Sequence, residues 1–215
     1  METMILMMDT GRTASVSAAR WLAQNGCRVV LVQKELRPVS GIDTVQLDLL
    51  DQEAVEAFVE TFPRLDLLVL GVPPCPDDGP IGTGHRLDEM LDALVYLGRG
   101  AANLTEACIP RLRMGMKRIA CITEPEGTHS LGCEAGNLLR HQMHAALHMY
   151  GRECFNRLRP EGFTFRWFCE GDLPGPMCAG EYLLAQLSYH PDEAAMHSDE
   201  NRLIIRDGFL REIPW

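Results

Sequence analysis

The hydrophobic residues of this chain form short continuous runs that alternate with segments of helical periodicity. Residues 4–8 are all apolar, a pattern typical of a strand that is buried on both faces. Residues 15–25 then carry apolar side chains at helical spacing up to a stop at Asn25-Gly26, and residues 27–32 form a second apolar run. Together these segments predict one βαβ unit.

The same alternation continues to the end of the chain. Further strands are predicted at 44–47, 65–70, 118–123, 163–168 and 203–206, and further helices at 52–62, 87–112 and 137–159. Strands that alternate with helices favour parallel pairing with right-handed crossovers. We therefore predict an α/β fold with a single doubly wound parallel β-sheet of the Rossmann type, about seven strands and helices on both faces. We expect a single domain over 1–215, in which residues 171–191 are the least regular part.

The composition is that of a folded globular protein, with 46% hydrophobic and 23% charged residues among 215. No apolar run approaches the ~20 residues of a membrane helix, and the first residues lack the basic segment and cleavage site of a secretion signal. We therefore expect a cytoplasmic protein with no membrane partner. The formal net charge of -10 argues against a nucleic-acid partner, because nucleic-acid binding relies on positive charge.

Two groups of residues raise the question of a metal site. The eight cysteines stand singly, without a C-x-x-C pair, and we interpret them as reduced thiols, with Cys133 and Cys178 as bystanders near the expected site. His141, His144 and His148 share one helical face, but three side chains from one helix seldom converge on a tetrahedral ion. We therefore predict no metal site and a packed polar face, with metal binding as the minor alternative.

Several motifs resemble those of the short-chain dehydrogenase/reductase family over residues 4–208. Residues 10–17 (TGRTASVS) are similar to the family's T-G-x-x-x-G-x-G turn but retain only the glycine at 11. Asp48 matches an acidic residue that contacts adenine in the family, and residues 70–73 (LGVP) replace the family's N-N-A-G. The resemblance implies an NAD or NADP site, with binding weak or lost. Its expected contacts are Gly11, Arg12, Thr13, Ser15, Val16, Lys34, Asp48, Leu49 and Gly71.

The residues of this predicted cofactor site differ from a standard one in bulk and charge. Ser15 and Ser17 take up room where a pyrophosphate approaches the backbone, although a hydroxyl can also donate to phosphate. Arg12 and Lys34 favour a 2′-phosphate, because no acidic residue ends the second strand to bind a ribose diol. The alternative is that both cations are solvated loop residues.

The resemblance also places residues of different chemistry at the family's catalytic positions. Glu124 stands at the serine, Arg140 at the tyrosine and His144 at the lysine, while the family's asparagine falls near Leu97. Arg140 cannot replace the tyrosine as acid and base, because a guanidinium stays protonated throughout the physiological range. Tyr150 is a poor substitute, because a helical residue six positions beyond His144 points away from it.

Two main classes of function follow from these differences. The first is a divergent protein of this family that lacks ordinary catalysis, binds a dinucleotide weakly or not at all, and acts as a partner or regulatory subunit. The second is an NAD(P)-dependent oxidoreductase of carbonyl or hydroxyl substrates in which Glu124, Arg140 and His144 take unfamiliar catalytic roles. Binding of another small metabolite in the crevice beyond the strand ends is a third alternative.

The helices predicted at 87–112 and 137–159 carry apolar and small residues on more than one side. In the family the corresponding helices commonly form a bundle between subunits. The resemblance therefore implies a homodimer or tetramer through these two helices, with burial in the chain's own core as the alternative.

Overall fold

The computed structural model describes residues 2–11, 13–74, 82, 84, 87–128, 136–171, 175–189 and 198–215. Its strands are β1 (Thr3–Met8), β2 (Cys27–Gln33), β3 (Asp43–Gln46), β4 (Leu67–Gly71), β5 (Arg118–Thr123), β6 (Thr164–Cys169), β7 (Ile205–Asp207) and β8 (Glu212–Ile213). Its helices are α1 (Thr13–Gln24), α2 (Gln52–Glu60), α3 (Leu87–Arg113), α4 (Leu138–Leu158), α5 (Ala179–Gln186) and α6 (Ser198–Arg202). Single 3-10 turns cover Pro125–Gly127 and Arg159–Glu161.

The strands pair into one sheet in the order β3-β2-β1-β4-β5-β6-β7-β8. Every pair from β3 to β7 is parallel, and β8 pairs antiparallel with β7 at the edge. The chain passes from β1 outward to β2 and β3 and then returns to β4 on the other side of β1. This reversal of strand order creates a crevice at the carboxyl ends of β1 and β4, where such sheets bind ligands.

Helices cover both faces of the sheet and divide the hydrophobic core into two layers. On one face α2, α3 and α4 pack over residues such as Leu6, Leu68 and Phe165. On the other face α1 and α5 pack over Ile5 and Met7. Since neighbouring β1 residues belong to opposite layers, both faces of this strand are buried, which explains its uninterrupted apolar sequence.

The predicted α/β class, the parallel Rossmann-type sheet and the helices on both faces are confirmed, and β5 has the predicted bounds. The prediction of about seven strands missed β8, because a two-residue edge strand is too short to show a pattern. The last predicted strand begins two residues late, at Ile205, since Leu203 adopts a left-handed φ of 53°.

The segment predicted to be least regular contains α5. Its sequence gives a weak helical signal because Gly180 lies within it. That glycine is required by packing: a Cβ there would lie 2.8 Å from Trp21 Cβ and 3.0 Å from the Ala18 carbonyl oxygen. Contact with α1 therefore stabilises a helix that local propensity does not predict. None of the helices in the described ranges combines the length and apolar character needed to cross a membrane.

Candidate functional site

The turn after β1 is held together by the Asp9 carboxylate. Asp9 Oδ1 accepts hydrogen bonds from the Gly11 N–H and the Ser15 hydroxyl, both at 2.9 Å, and Oδ2 accepts from Gln33 Nε2 at 2.8 Å. The Ser15 oxygen in turn accepts from the Thr10 N–H at 3.2 Å and from the Thr10 hydroxyl at 3.0 Å. These donors of the turn are therefore directed at side chains of the chain itself.

The same turn packs closely against the segment that follows β4. Gly11 has a left-handed φ of 65°, and a Cβ at this position would lie 2.0 Å from Pro74 Cγ. A Cβ at Gly71 would lie 2.4 Å from Thr10 Cγ2. Both glycines therefore allow the end of β4 to approach the turn, and Pro74 contacts the backbone of Gly11.

A cavity of about 390 Å³ lies beside this turn, at the carboxyl ends of β1, β2 and β4. Lys34 and Leu49 line it, as does Tyr96 of α3, whose ring lies 4.7 Å from the Lys34 ammonium. Burial, with the Asp48 charge in second place, raises the pKa of Tyr96 from 10.0 to about 12, so its hydroxyl stays protonated at neutral pH. This volume lies in the lower part of the usual range for small-molecule sites, roughly 300–1,000 Å³.

The residues predicted to contact a cofactor divide into several groups. Lys34 and Leu49 line the cavity, while Gly11, Ser15 and Gly71 form the closely packed turn beside it. Asp48 accepts the Leu50 N–H at 3.0 Å, and Val16 lies half-buried on α1. Arg12 and the side chain of Thr13 lie outside the described residues.

Sequence reasoning missed Asp9 and Tyr96. In the sequence Asp9 follows the apolar run of residues 4–8, and an acidic residue directly before a Thr-Gly turn is a signal for a side-chain acceptor at that turn. Tyr96 belongs to the apolar periodicity of α3 and is only 5% exposed, so its sequence context resembles that of a core residue. Both residues stand out only once the strand ends are brought together.

The three predicted catalytic residues meet at the end of β5. Arg140 Nε donates to Glu124 Oε2 at 2.8 Å, its Nη2 contacts the same oxygen, and His144 Nε2 lies 3.3 Å from it. Arg140 Nη2 also lies 3.4 Å from Glu126 Oε1. Burial by itself would raise the pKa of Glu124, but hydrogen bonds from His144 and Arg140 outweigh it and lower the pKa from 4.5 to about 2. Glu124 is therefore ionised at physiological pH.

The contacts continue below Glu124 through Thr123. Its hydroxyl lies 3.1 Å from His144 Nδ1 and 2.7 Å from His148 Nε2. When both imidazoles are neutral and His144 donates to Glu124, the Thr123 hydroxyl donates to His144 and accepts from His148. Burial, and secondly the charge of His144, lower the pKa of His148 from 6.5 to about 4. His148 is therefore neutral at physiological pH.

Two aromatic rings enclose the inner end of this network. The His148 ring makes edge contacts with Trp167 and Trp215, at centroid distances of 5.7 Å and 5.4 Å. Gly127 packs on the same ring, since a Cβ there would lie 2.6 Å from His148 Cε1. His144 and His148 are 3% and 5% exposed, so the two rings serve as buried, packed groups.

The remaining candidate residues lie away from this network or have structural contacts. The Tyr150 hydroxyl points to α3, 3.5 Å from the Ala101 carbonyl oxygen. Cys178 is exposed, and its sulfur accepts the Glu181 N–H at the start of α5. Cys133 lies outside the described residues. Within the ranges that the structure covers, no three His, Cys, Asp or Glu side chains are arranged to hold a metal ion.

The cavity and the turn beside it suit the adenosine part of a dinucleotide but not its phosphates. The cavity between Lys34, Leu49 and Tyr96 offers room and apolar walls at the place of an adenosine. The turn after β1, where such folds bind pyrophosphate, fits a pyrophosphate less well. Asp9 brings a negative charge to this turn and accepts the hydrogen bond of the Gly11 N–H. A bound pyrophosphate would have to displace or tolerate that carboxylate.

No family model and no curated protein matches this sequence. Solved structures are nevertheless similar to it. The carbonyl reductase Sniffer of D. melanogaster aligns over 100% of both chains with a TM-score of 0.74 and 13% identity. The NADH-dependent reductase A1-R′ complexed with NAD aligns over 96% of this chain and 94% of its own, with a TM-score of 0.72 and 16% identity.

A proposed short-chain alcohol dehydrogenase from Burkholderia multivorans aligns over 100% of both chains, with a TM-score of 0.70 and 16% identity. Identities this low establish the fold and leave the activity open. The alignments cover essentially the whole of this chain, from the first strand to the last. The chain therefore has the Rossmann-type fold of the short-chain dehydrogenases/reductases.

Proposed function

We propose that this chain is a divergent protein with the short-chain dehydrogenase/reductase fold that lacks the family's ordinary catalysis and acts through ligand binding, as a partner or regulatory subunit. The observation that carries the proposal is the Arg140–Glu124 ion pair at the positions where the family resemblance places tyrosine and serine. A hydride-transfer site needs a group there that donates and accepts a proton near neutral pH.

None of the groups in this ion-pair network has that property at an accessible position. Arg140 stays protonated and Glu124, with a pKa of about 2, stays ionised at neutral pH. His148 is neutral, and its ring is enclosed by Trp167 and Trp215. The charges of Arg140 and Glu124 compensate each other. The pair can therefore stabilise the fold when no substrate is bound.

Dinucleotide binding is expected to be weak for an independent reason. Asp9 adds a negative charge to the phosphate turn, and Pro74 packs on Gly11. Lys34 remains at the end of β2 and lines the cavity, which supports contact with the adenosine end of NAD or NADP. Binding of NADH or NADPH is therefore expected only at high concentrations of the cofactor.

The alternative function is an NAD(P)-dependent oxidoreductase of a carbonyl or hydroxyl substrate. One contact favours it: His144 Nε2 lies 3.3 Å from Glu124 Oε2, an arrangement that orients an imidazole for proton transfer. This route requires His144, which is 3% exposed, to become accessible to substrate.

A homodimer or tetramer remains part of the proposal. Large apolar side chains on α3 and α4 face solvent, including Leu91 at 61% and Met149 at 63% exposure. Exposed apolar residues on two neighbouring helices are typical of a subunit interface.

The deciding experiment titrates the purified chain with NADH and NADPH. Nicotinamide fluorescence and melting temperature report binding, because a ligand that binds only the folded state raises its stability. We expect no saturation below millimolar cofactor and no oxidation of NADPH with a panel of aldehydes and ketones. Saturable binding with turnover that is lost in Glu124→Ala and His144→Ala would establish the oxidoreductase instead.

A further inference from the structure

The Asp9 carboxylate accepts hydrogen bonds at the turn between β1 and α1. Such folds bind phosphate at the turn between the first strand and first helix, where N–H groups and the helix dipole attract an anion. Here Asp9 accepts from the Gly11 N–H, the Ser15 hydroxyl and the Gln33 amide at 2.8–2.9 Å. The protein supplies its own anion to this turn.

The charged residues that line the cavity next to the turn also disfavour a phosphate. Among the described residues that line it, carboxylates outnumber cations by four to two; they are Asp9, Glu35, Glu89 and Asp92 against Lys34 and Arg37. The two cations also have partners within the chain. Arg37 Nη2 lies 3.3 Å from Glu35 Oε2, and Lys34 stands over the Tyr96 ring. These residues together would present net negative charge to a phosphate in the cavity.

The walls of the cavity suit a flat heterocycle with hydroxyl groups. Val32, Leu49, Pro73 and Ala93 provide apolar surface, and Tyr96 closes one side. Carboxylates at the rim accept hydrogen bonds from sugar hydroxyls, which is how acidic residues in related sheets hold a ribose. The volume of about 390 Å³ corresponds to a small-molecule site of modest size.

We propose that this cavity binds an unphosphorylated nucleoside, and that Asp9 is the residue that excludes its phosphorylated forms. The inference rests on the proposed function, since a protein that performs hydride transfer would need the phosphates of a dinucleotide. It adds the chemical class of the ligand and names the residue that selects it. Pro74 lines the cavity and packs against Gly11 of the neighbouring turn.

The test measures binding of adenosine, AMP and NADPH to the full-length chain by calorimetry. We expect saturable binding of adenosine, and binding of AMP weaker by about ten-fold or more, since the phosphate and the Asp9 carboxylate repel more strongly at a partly buried site than in bulk water. Asp9→Asn keeps an oxygen for the Gly11 N–H and removes the charge. It is expected to reduce the preference for adenosine over AMP to about three-fold or less.

Two further variants separate site effects from unfolding. Ala93→Trp fills the cavity from α3 and is expected to abolish adenosine binding. Ala57→Trp, at an exposed position of α2 outside the cavity lining, makes the same substitution elsewhere and leaves binding unchanged. Asp88→Asn removes an exposed α3 carboxylate outside the cavity lining and leaves the adenosine preference unchanged. Circular dichroism and melting temperature confirm that each variant is folded.

The results distinguish failure of the nucleoside proposal from failure of the proposed function. Failure of adenosine to bind the folded wild type, or AMP binding as tight as adenosine, overturns the nucleoside proposal while the absence of catalysis stands. An unchanged preference in Asp9→Asn overturns the role of Asp9. NADPH binding tighter than adenosine, together with carbonyl reduction, overturns the proposed function itself.

Discussion

Arg140 and Glu124 form a hydrogen-bonded ion pair, in which Arg140 Nε donates to Glu124 Oε2 at 2.8 Å across the gap between α4 and the end of β5. Their side chains are 19% and 11% exposed, so the pair is largely shielded from water. The resemblance of the sequence places the serine and tyrosine of the short-chain dehydrogenases/reductases at these two positions. In the proposed function, the ion pair takes the place of those two hydroxyls.

Removing the charge of Glu124 is expected to destabilise the fold. Glu124→Gln removes the carboxylate that accepts from Arg140 Nε at 2.8 Å, and we expect a loss of about 2–4 kcal/mol, as for other buried ion pairs that lose one partner. Urea unfolding at neutral pH measures it. A cycle with Arg140→Met and the double variant isolates the pair, and a coupling energy below ~0.5 kcal/mol would contradict its proposed strength.

The contribution of Glu124 to the free energy of unfolding is expected to depend on pH. Because the pKa of Glu124 is lowered from 4.5 to about 2 in the folded chain, its charge contributes full stability above pH 4.5. That contribution is lost as the pH falls from 4.5 towards 2. The difference in unfolding free energy between wild type and Glu124→Gln should therefore be constant from pH 7 to pH 5 and shrink below. A difference that stays constant down to pH 3 would show that Glu124 has an ordinary pKa.

Protonation of His148 is expected to destabilise the fold at a higher pH than protonation of Glu124 does. Its pKa is lowered from 6.5 to about 4, so the unfolded chain binds a proton at this site before the folded chain does. Stability is therefore complete above pH 6.5 and falls by about 3 kcal/mol as the pH drops to 4. His148→Gln should flatten this part of the profile. The ¹³C and ¹⁵N shifts of the His148 ring measure the pKa directly, and a value near 6.5 would refute the prediction.

Two glycines within long helices are expected to respond oppositely to alanine. A Cβ at Gly151 would lie 2.0 Å from Trp167 Cζ2, so Gly151→Ala should displace the ring and cost about 1–3 kcal/mol. Gly98 on α3 has no atom within 4 Å of an added Cβ. Gly98→Ala should therefore stabilise the chain by roughly 0.5–1 kcal/mol through helix propensity. Thermal unfolding compares them, and equal effects would contradict the packing of α4 on Trp167.

The subunit interface proposed for α3 and α4 is tested by charge. Leu91→Glu and Met149→Glu place carboxylates on the exposed apolar positions of these helices and should convert a dimer or tetramer to monomer. Met114→Glu changes a residue that is 62% exposed in the turn after α3 and should leave assembly unchanged. Light scattering at micromolar concentration reports the mass. A monomeric wild type would refute the proposed interface.

The sequence anticipated the contacts between β5 and α4 better than those in the turn after β1. The resemblance put Glu124, Arg140 and His144 at neighbouring positions, and the structure brings all three together. Thr123 and His148 join them only because β5 and α4 pack face to face. At the turn, the absence of the family's glycines pointed to Ser15, whereas the Asp9 carboxylate accepts the hydrogen bonds of Gly11, Ser15 and Gln33.

The sequence by itself determined the α/β architecture, because strands buried on both faces must be continuously apolar and the helices between them must carry one apolar stripe. Through the family resemblance it also predicted that Arg140, His144 and Glu124 stand in place of a catalytic tyrosine, lysine and serine. Only the tertiary structure decided what the replacing residues do. Ion pairs, a carboxylate at the phosphate turn and a cavity beside Tyr96 arise between residues far apart in the chain. Their distances depend on how the helices pack on the sheet, and local patterns carry no information about that packing.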